Sequence, residues 1–552
     1  MYDIVIIGGG PAGLAAAIYA QRAMLKAVTL EKDAYSTGQI AVSSRVDNYP
    51  GFYGISGDDL GEKMRSHAEE LGAEFLEDEV KNIAPLKDKK GYLLTLEYGG
   101  ELETRTVIFA GGTYHRSLGI KGEREFSGRG ISSCAVCDGA FFKGKPAAVI
   151  GGGASGIACA VALKQQNKNI GVTVYEKMPR ILKKILVTGN GRCNLTNGNS
   201  SKDFFRGDTE ILADAFSKYP PKSNIEFFNS LGLLTRTEAQ GRVYPVSGQA
   251  SAVVNALLCE VKRAEIKVLT DTEITEIKRT QNGFLLNGSY KADKLVIASG
   301  GSAARAQGTD GGSFKLLKSL DVKIVPPVPA LTGVIIDGFP KSVKGVRNIC
   351  TAELFVDGES RYKEKGEVQF NDYGVSGMPI MQLSGIVAEN KGKNITLCLD
   401  LLPDINENEL AKFLLSQKKK YTDKTAEETV SGILPKALGS YALLASNIKN
   451  AQLLKDIPDG KIKAFSSKVK KLQLKAVGVR GFEFAQVTSG GVPKSEINLH
   501  TLECKNVKGL YVTGEAVNVY GLCGGHNLQW AWSSGRLCAE AILKENTVVK
   551  NK

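Results

Sequence analysis

One short pattern, present twice, constrains this chain more than any other feature. Near the start, the apolar run Asp3-Ile4-Val5-Ile6-Ile7 leads into Gly8-Gly9-Gly10-Pro11-Ala12-Gly13 and then an alanine-rich stretch. The same order recurs at Ala147-Ala148-Val149-Ile150-Gly151-Gly152-Gly153-Ala154-Ser155-Gly156. In such a strand–turn–helix the first glycine allows the tight turn and the second lets backbone approach a pyrophosphate. The third permits close helix–strand packing, and the helix N-terminus faces the phosphates. Each copy is followed by a second strand ending in an acid: Ala27–Leu30 delivers Glu31, and Val172–Tyr175 delivers Glu176. A carboxylate there accepts hydrogen bonds from ribose hydroxyls and repels a 2′-phosphate, which favours FAD or NAD over NADPH. Gly8, Gly10, Gly13 and Glu31, with Gly151, Gly153, Gly156 and Glu176, are therefore expected to bind dinucleotide. The expected fold is α/β, with two Rossmann-like FAD/NAD(P)-binding units of the three-layer ββα type.

The chain has 552 residues, 43% hydrophobic and 23% charged, the usage of an ordinary globular protein. That excludes a disordered, collagen-like or disulfide-scaffold chain. The net charge of +13 is unevenly spread. Residues 1–145 carry 17 Lys and Arg against 20 Asp and Glu, a formal −3, leaving 54 against 38, or +16, for 146–552. The lysines at 418–420 and 461–475 sit among acids and serines with few aromatics, the pattern of a solvated face more than of an RNA-binding one. Nucleic acid is thus an unfavoured partner. The chain opens directly on a strand, with no basic leader and no apolar run of about 18 residues. A cytoplasmic protein without a membrane span is expected, its thiols reduced at rest.

Between the two glycine turns lies Ser133-Cys134-Ala135-Val136-Cys137-Asp138. Cysteines three apart reach each other across a turn and exchange between dithiol and disulfide. Zinc would need a second such pair, and the sequence has none, so no metal site is expected; two inert packed cysteines are the remaining alternative.

With Thr37-Gly38-Gln39, Asp47-Asn48-Tyr49-Pro50-Gly51 and Phe109-Ala110-Gly111-Gly112, these elements make residues 1 to about 150 resemble the low-molecular-weight thioredoxin reductases. The resemblance implies that the first turn cradles FAD and that Gln39 and Asn48 lie near the flavin. It further implies that Cys134 and Cys137 trade electrons with flavin while Asp138 assists proton transfer. In that family, arginines and histidines follow the second glycine turn; here Glu176-Lys177-Met178-Pro179-Arg180 follow.

From about 146 onward the chain resembles a different group, the BaiN-like, aminoacetone-oxidase-related FAD-dependent oxidoreductases. The motifs are Lys184 to Asn197 (containing Gly189-Asn190-Gly191-Arg192-Cys193-Asn194), Leu295 to Ser302 with Gly300, Thr488 to Val492, and Gly509 to Glu515. The last runs from Cys523-Gly524-Gly525-His526-Asn527-Leu528 to Gly535. The resemblance implies cofactor contacts from Arg192, Gly300, Gly514, Glu515, Asn527 and Leu528. Independently, Arg192 suits a phosphate or carbonyl, and Gly514 leaves room beside a pyrophosphate. Gly524-Gly525 opens a helix whose amides can polarise a flavin edge. Asn194 and His526 are candidate catalytic residues, against loop capping and a satisfied buried histidine as the plainer alternatives. Packing is the expected role of Cys193.

Between 331 and 484 the pattern changes to strand-like pieces, Leu331–Ile336 and Thr351–Val356, and then to helical stretches, Glu407–Tyr421 and Thr425–Ala445. The expectation is a β-rich and helical cap inserted into an FAD domain made of 146–330 and 485–552, behind an N-terminal segment of 1–145. The cap would supply substrate walls and exclude water. The leading reading is an FAD-dependent oxidoreductase, with one or two FAD per chain and NAD(P)H as a candidate donor. It would pass hydride between flavin and a small organic substrate beside a fused dithiol. A protein-disulfide reductase with a thioredoxin-like or ferredoxin-like partner is the alternative, and an RNA-binding flavoprotein is a third reading.

Overall fold

The computed structural model describes residues 1–33, 36–43, 45–46, 48–87, 90–113 and 146–548. The chain divides into two compact units, Met1–Ala140 and Phe141–Lys552.

In the first unit the apolar run becomes the strand Tyr2–Ile7. It pairs in parallel with Ala27–Glu31 on one side and Glu101–Phe109 on the other. Glu74–Glu77 extends the sheet in parallel, while Tyr92–Leu96 and Val80–Pro85 close it as an antiparallel meander. Helix Pro11–Arg22 begins with proline, whose fixed φ suits a first helical turn. It buries Leu14 and Ala17 against Ile6 and Ala68.

The second unit is built around a five-stranded, wholly parallel sheet. Its order is Lys267–Leu269, Val172–Tyr175, Ala147–Ile150, Lys294–Ile297 and Leu510–Val512. The three central strands are short apolar runs because both of their faces are covered. On one face, Val149 and Val296 pack with helices Ala154–Gln166, Ala250–Arg263 and His526–Val548. On the other, Ala148, Ile150, Leu295 and Ile297 pack with Ile277, Phe284 and Leu286 of a three-stranded antiparallel layer. This is the three-layer Rossmann arrangement. The turn glycine Gly151 has φ +109°, and a Cβ there would sit 2.5 Å from the Ala298 carbonyl oxygen. A Cβ on Gly156 would fall onto the Gly151 carbonyl. Side chains are excluded sterically at both positions.

Within the insert, strands Val334–Ile336, Arg347–Val356, Glu359–Phe370, Gly374–Ser376, Ile395–Asp400 and Leu472–Val479 close into a barrel. Helix Met378–Glu389 packs against it, placing Ile380, Leu383 and Val387 in the barrel's core cluster. The expected strand at Leu331–Ile336 is shorter than its apolar run, since Leu331 adopts φ +51°. The helical stretch expected over Thr425–Ala445 is two helices, Ala426–Val430 and Lys436–Ala445. Pro435 cannot donate a backbone hydrogen bond inside a continuous helix, so the break falls before it. Among the described residues no helix is long and apolar enough to cross a membrane.

Candidate active site

A cavity of 790 Å³ runs through the second unit. Its floor is the turn Gly151-Gly152-Gly153, and its walls include Glu176, the 182–194 segment, Ala298–Gly300, Gly514-Glu515 and Cys523–Gly525. Leu331, Met378 and Met381 close it from the inserted region.

At the floor, Glu176 Oε2 accepts a hydrogen bond from the Gly152 amide at 2.8 Å and Oε1 accepts from Met178 N at 2.8 Å. The acid therefore sets the shape of the glycine turn as well as presenting a carboxylate to it. Gly153 has open space where a Cβ would stand. The first unit repeats this geometry: Gly8 has the same φ of +109°, and Glu31 Oε2 accepts from Gly9 N at 2.6 Å. Gly10 lies beside Gly38, and a Cβ on Gly13 would strike the Gly8 carbonyl. Gln39 Nε2 donates to the Thr113 carbonyl, and Asn48 is exposed. Cys134, Cys137 and Asp138 lie outside the described residues.

The segment after Leu182 is a 3₁₀ turn broken at Thr188–Asn190, with Gly189 and Asn190 both at φ +55°. This places Asn194 on the cavity wall, its Oδ1 buried and without a hydrogen-bond partner. Ser299 Oγ, just past the neighbouring strand Lys294–Ile297 and also on the cavity wall, is likewise buried and unpartnered. Buried polar atoms of this kind need a partner, and these line a cavity floored by the glycine turn. The residues present fit an FAD molecule. Cys193, buried at φ +57°, points into the core, and burial pushes its thiol up to about 12.

Arg192 reaches the cavity, but its guanidinium is engaged elsewhere: it pairs with Glu238 at 2.5 Å and lies 4.1 Å over the Tyr244 ring. Glu515 is tied on both oxygens, to Lys184 Nζ at 2.9 Å and to the Thr488 amide at 2.9 Å. Gly300, at φ +77°, and Gly514, at φ +62°, take backbone conformations that favour glycine. Gly514 is held by Trp530 Nε1 on its carbonyl at 2.8 Å. Asn527 spends its side chain clasping both backbone groups of Gly521, at 2.8 and 2.7 Å, while Leu528 lines the cavity.

His526 does not line the cavity. It is 2% exposed, stacked on Phe204 at 4.5 Å, with Nδ1 2.6 Å from Ser200 Oγ. Burial, reinforced by the charge of Arg242, pushes its imidazole down to about 4. The neutral ring, at the first turn of helix His526–Val548, is packed against Phe204 and Phe205. Lys184 and Cys523, the first residues of two of the quoted motifs, also line the cavity, as do Arg242, Met378 and Met381, which the sequence motifs did not reveal.

The fold and this cavity define an FAD-dependent oxidoreductase. The description "HI0933-like protein Rossmann domain" matches residues 145–541, and "Pyridine nucleotide-disulphide oxidoreductase" matches residues 2–188. The chain belongs to the HI0933-like family. It is 34% identical over 400 residues to the 3-dehydro-bile acid delta(4,6)-reductase of Clostridium scindens, covering 71% of this chain and 98% of that one. It is 27% identical over 409 residues to the ribosomal RNA dihydrouridine synthase of Haemophilus influenzae, covering 72% and 98%. Over 163 residues it is 44% identical to the thioredoxin reductase of Bacillus subtilis, 30% of this chain and 50% of that enzyme. Among solved structures, Lactococcus lactis thioredoxin reductase aligns at 38% identity and TM-score 0.22, over 33% of this chain and 58% of that one. The chain thus spans 50% and 58% of the length of these two thioredoxin reductases.

Proposed function

We propose that the 141–552 unit is a reductase of a small unsaturated organic compound, and that the Cys134–Cys137 dithiol is a second redox station supplying it. The observation that carries this reading is one continuous cavity joining the dinucleotide turn at Gly151–Gly153 to the insert's Leu331, Met378 and Met381. Bound FAD supplies two-electron hydride chemistry. The protein's own residues bind and shield. The Gly151–Gly153 amides and the N-terminus of helix Ala154–Gln166 receive the pyrophosphate, and Glu176 orients the turn. Asn194 and Ser299 offer hydrogen-bonding atoms to the cofactor, and the insert keeps water from the reacting face. Oxidation of the dithiol to a disulfide releases two electrons and two protons, the number that saturates one double bond. The name of the Clostridium scindens relative, a reductase, favours reduction of the substrate over its oxidation.

Anaerobic dithionite titration of the full chain tests the two-station reading. Uptake of four electrons per flavin, falling to two in Cys134→Ser, supports it; uptake of two electrons in both proteins rejects it. The likeness to thioredoxin reductase over residues at the N-terminus supports a second reading, in which a thioredoxin-like or ferredoxin-like protein exchanges electrons with the same dithiol. Reduction of a thioredoxin disulfide in a coupled assay would favour it. The names of the ribosomal RNA relatives support a third, reduction of a base in RNA. Salt-dependent retention of RNA at low ionic strength would raise that reading, and no retention there would end it.

A further inference from the structure

Arg242 begins the strand Arg242–Pro245, which runs antiparallel to Thr196–Asn197 with Arg242 opposite Asn197. Asn197 Nδ2 in turn donates to the Gly524 carbonyl at 2.9 Å. This pairing brings Arg242 to the glycine bend before helix His526–Val548. From the other side comes Met378, the first residue of helix Met378–Glu389 in the insert. The guanidinium NH2 lies 3.6 Å from Met378 Sδ, and a thioether is a weak acceptor. Arg242 therefore stands half-buried on the cavity wall, where the dinucleotide-binding domain meets the insert.

The other cations of the cavity are occupied or lie elsewhere. Arg192 pairs with Glu238, Lys184 pairs with Glu515, and Lys183 donates to the Ala306 carbonyl at 2.8 Å. Arg180 follows Glu176 at the dinucleotide-turn end and is exposed. Among the described residues, Arg242 has no carboxylate within ion-pair distance. Two groups on which its charge acts, the Cys523 thiol and the His526 imidazole, are uncharged near neutral pH. Burial pushes the Cys523 thiol up to about 12 and the His526 imidazole down to about 4. Glu364, whose charge also acts on Cys523, is committed to Gln382 Nε2 at 2.6 Å and to the Tyr362 hydroxyl at 2.5 Å. The N-terminus of helix His526–Val548 adds further positive potential at the same place. Around this cationic end the wall is apolar, formed by Leu331, Met378, Met381 and Leu522.

We propose that Arg242 anchors a carboxylate of the substrate, so that the cavity selects a small apolar compound with one anionic end. A guanidinium fork presents paired donors that match a carboxylate. The cofactor's own anionic group is claimed by the glycine turn, at the start of a different helix. The inference deepens the reductase reading and rests on it.

The test uses purified full-length holoprotein with trans-cinnamate and its uncharged amide, cinnamamide, as probes. Each is titrated while the visible spectrum of the bound flavin is recorded. Cinnamate is expected to perturb the spectrum saturably, with cinnamamide weaker by on the order of tenfold or more. Arg242→Met should weaken cinnamate by a similar factor, leave cinnamamide unchanged and keep the flavin content per chain. Arg242→Lys should recover part of the loss. Equal binding of acid and amide, no response to either probe, or unaltered cinnamate binding in Arg242→Met would overturn the proposal. Loss of flavin from Arg242→Met would also overturn it, by assigning the guanidinium to the cofactor. Failure of the underlying reading shows separately, as a wild-type protein that holds no FAD before any probe is added.

Discussion

Glu176 accepts a 2.8 Å hydrogen bond from the amide of Gly152, a residue inside the turn that the same carboxylate overlooks. The acid of a dinucleotide fingerprint is usually considered for its ribose contact alone. Here it also fixes the backbone of the turn proposed to receive the pyrophosphate. Glu176→Ala should therefore weaken FAD by roughly 10- to 100-fold, the scale of losing charge-assisted hydrogen bonds worth about 1.5–3 kcal/mol. Fluorescence titration of the apoprotein with FAD checks this. Glu31→Ala, in the first unit, should leave that affinity unchanged.

Gly151 and Gly153 should separate folding from binding. Gly151→Ala forces a side chain into φ +109° and to 2.5 Å from the Ala298 carbonyl, costing about 1–3 kcal/mol in backbone strain alone. At Gly153 the backbone is extended and a Cβ meets nothing within 4 Å. Gly153→Ala should keep its urea midpoint while losing flavin, because its methyl group enters the cavity. A fall in stability equal to that of Gly151→Ala would contradict the assignment.

Asn194 offers a third separation. Its Oδ1 makes no hydrogen bond within the protein, so Asn194→Ala should leave the apoprotein's thermal midpoint nearly unchanged. The holoprotein should lose part of its stabilisation by FAD, since ligand binding stabilises through affinity. Comparing the midpoints with and without added FAD decides it.

Acid should destabilise the second unit through His526. Unfolded, its imidazole titrates near the ordinary 6.5; folded, at about 4. Between these values the unfolded chain binds a proton that the folded protein excludes. Stability present above pH 6.5 is thus lost as pH falls toward 4, by about 3 kcal/mol in total. His526→Gln should flatten this part of the profile. Tryptophan fluorescence during urea unfolding reads it, because both tryptophans, Trp530 and Trp532, lie on helix His526–Val548.

The shape of the glycine turn was legible in the sequence, for a local reason. Gly151, Gly156 and Glu176 act within one strand–turn–helix–strand unit, and steric exclusion at each glycine is set by residues of that unit and its neighbouring strand. Arg192 shows where local reading stops. A cation beside a glycine loop suggests a phosphate ligand, yet Glu238, 46 residues away, pairs with it. His526 was open between catalysis and satisfied burial, and nothing in its immediate sequence reveals Phe204 or Ser200 packed on its ring. Arg242 carried no local signal, because its position depends on pairing with Asn197 and on Met378, 136 residues away.

The sequence by itself determined two dinucleotide-binding openings, the acids that follow them, and an inserted segment of different pattern, because each is written in contiguous residues with one steric requirement. Only the tertiary structure decided that the insert closes as a barrel, through strand pairs between Val334–Ile336 and Leu472–Val479. It alone decided which charges of the cavity are paired and that, among the described residues, Arg242 has no carboxylate partner. Those outcomes depend on distances between residues far apart in the chain, and such distances are fixed when the sheets and helices pack.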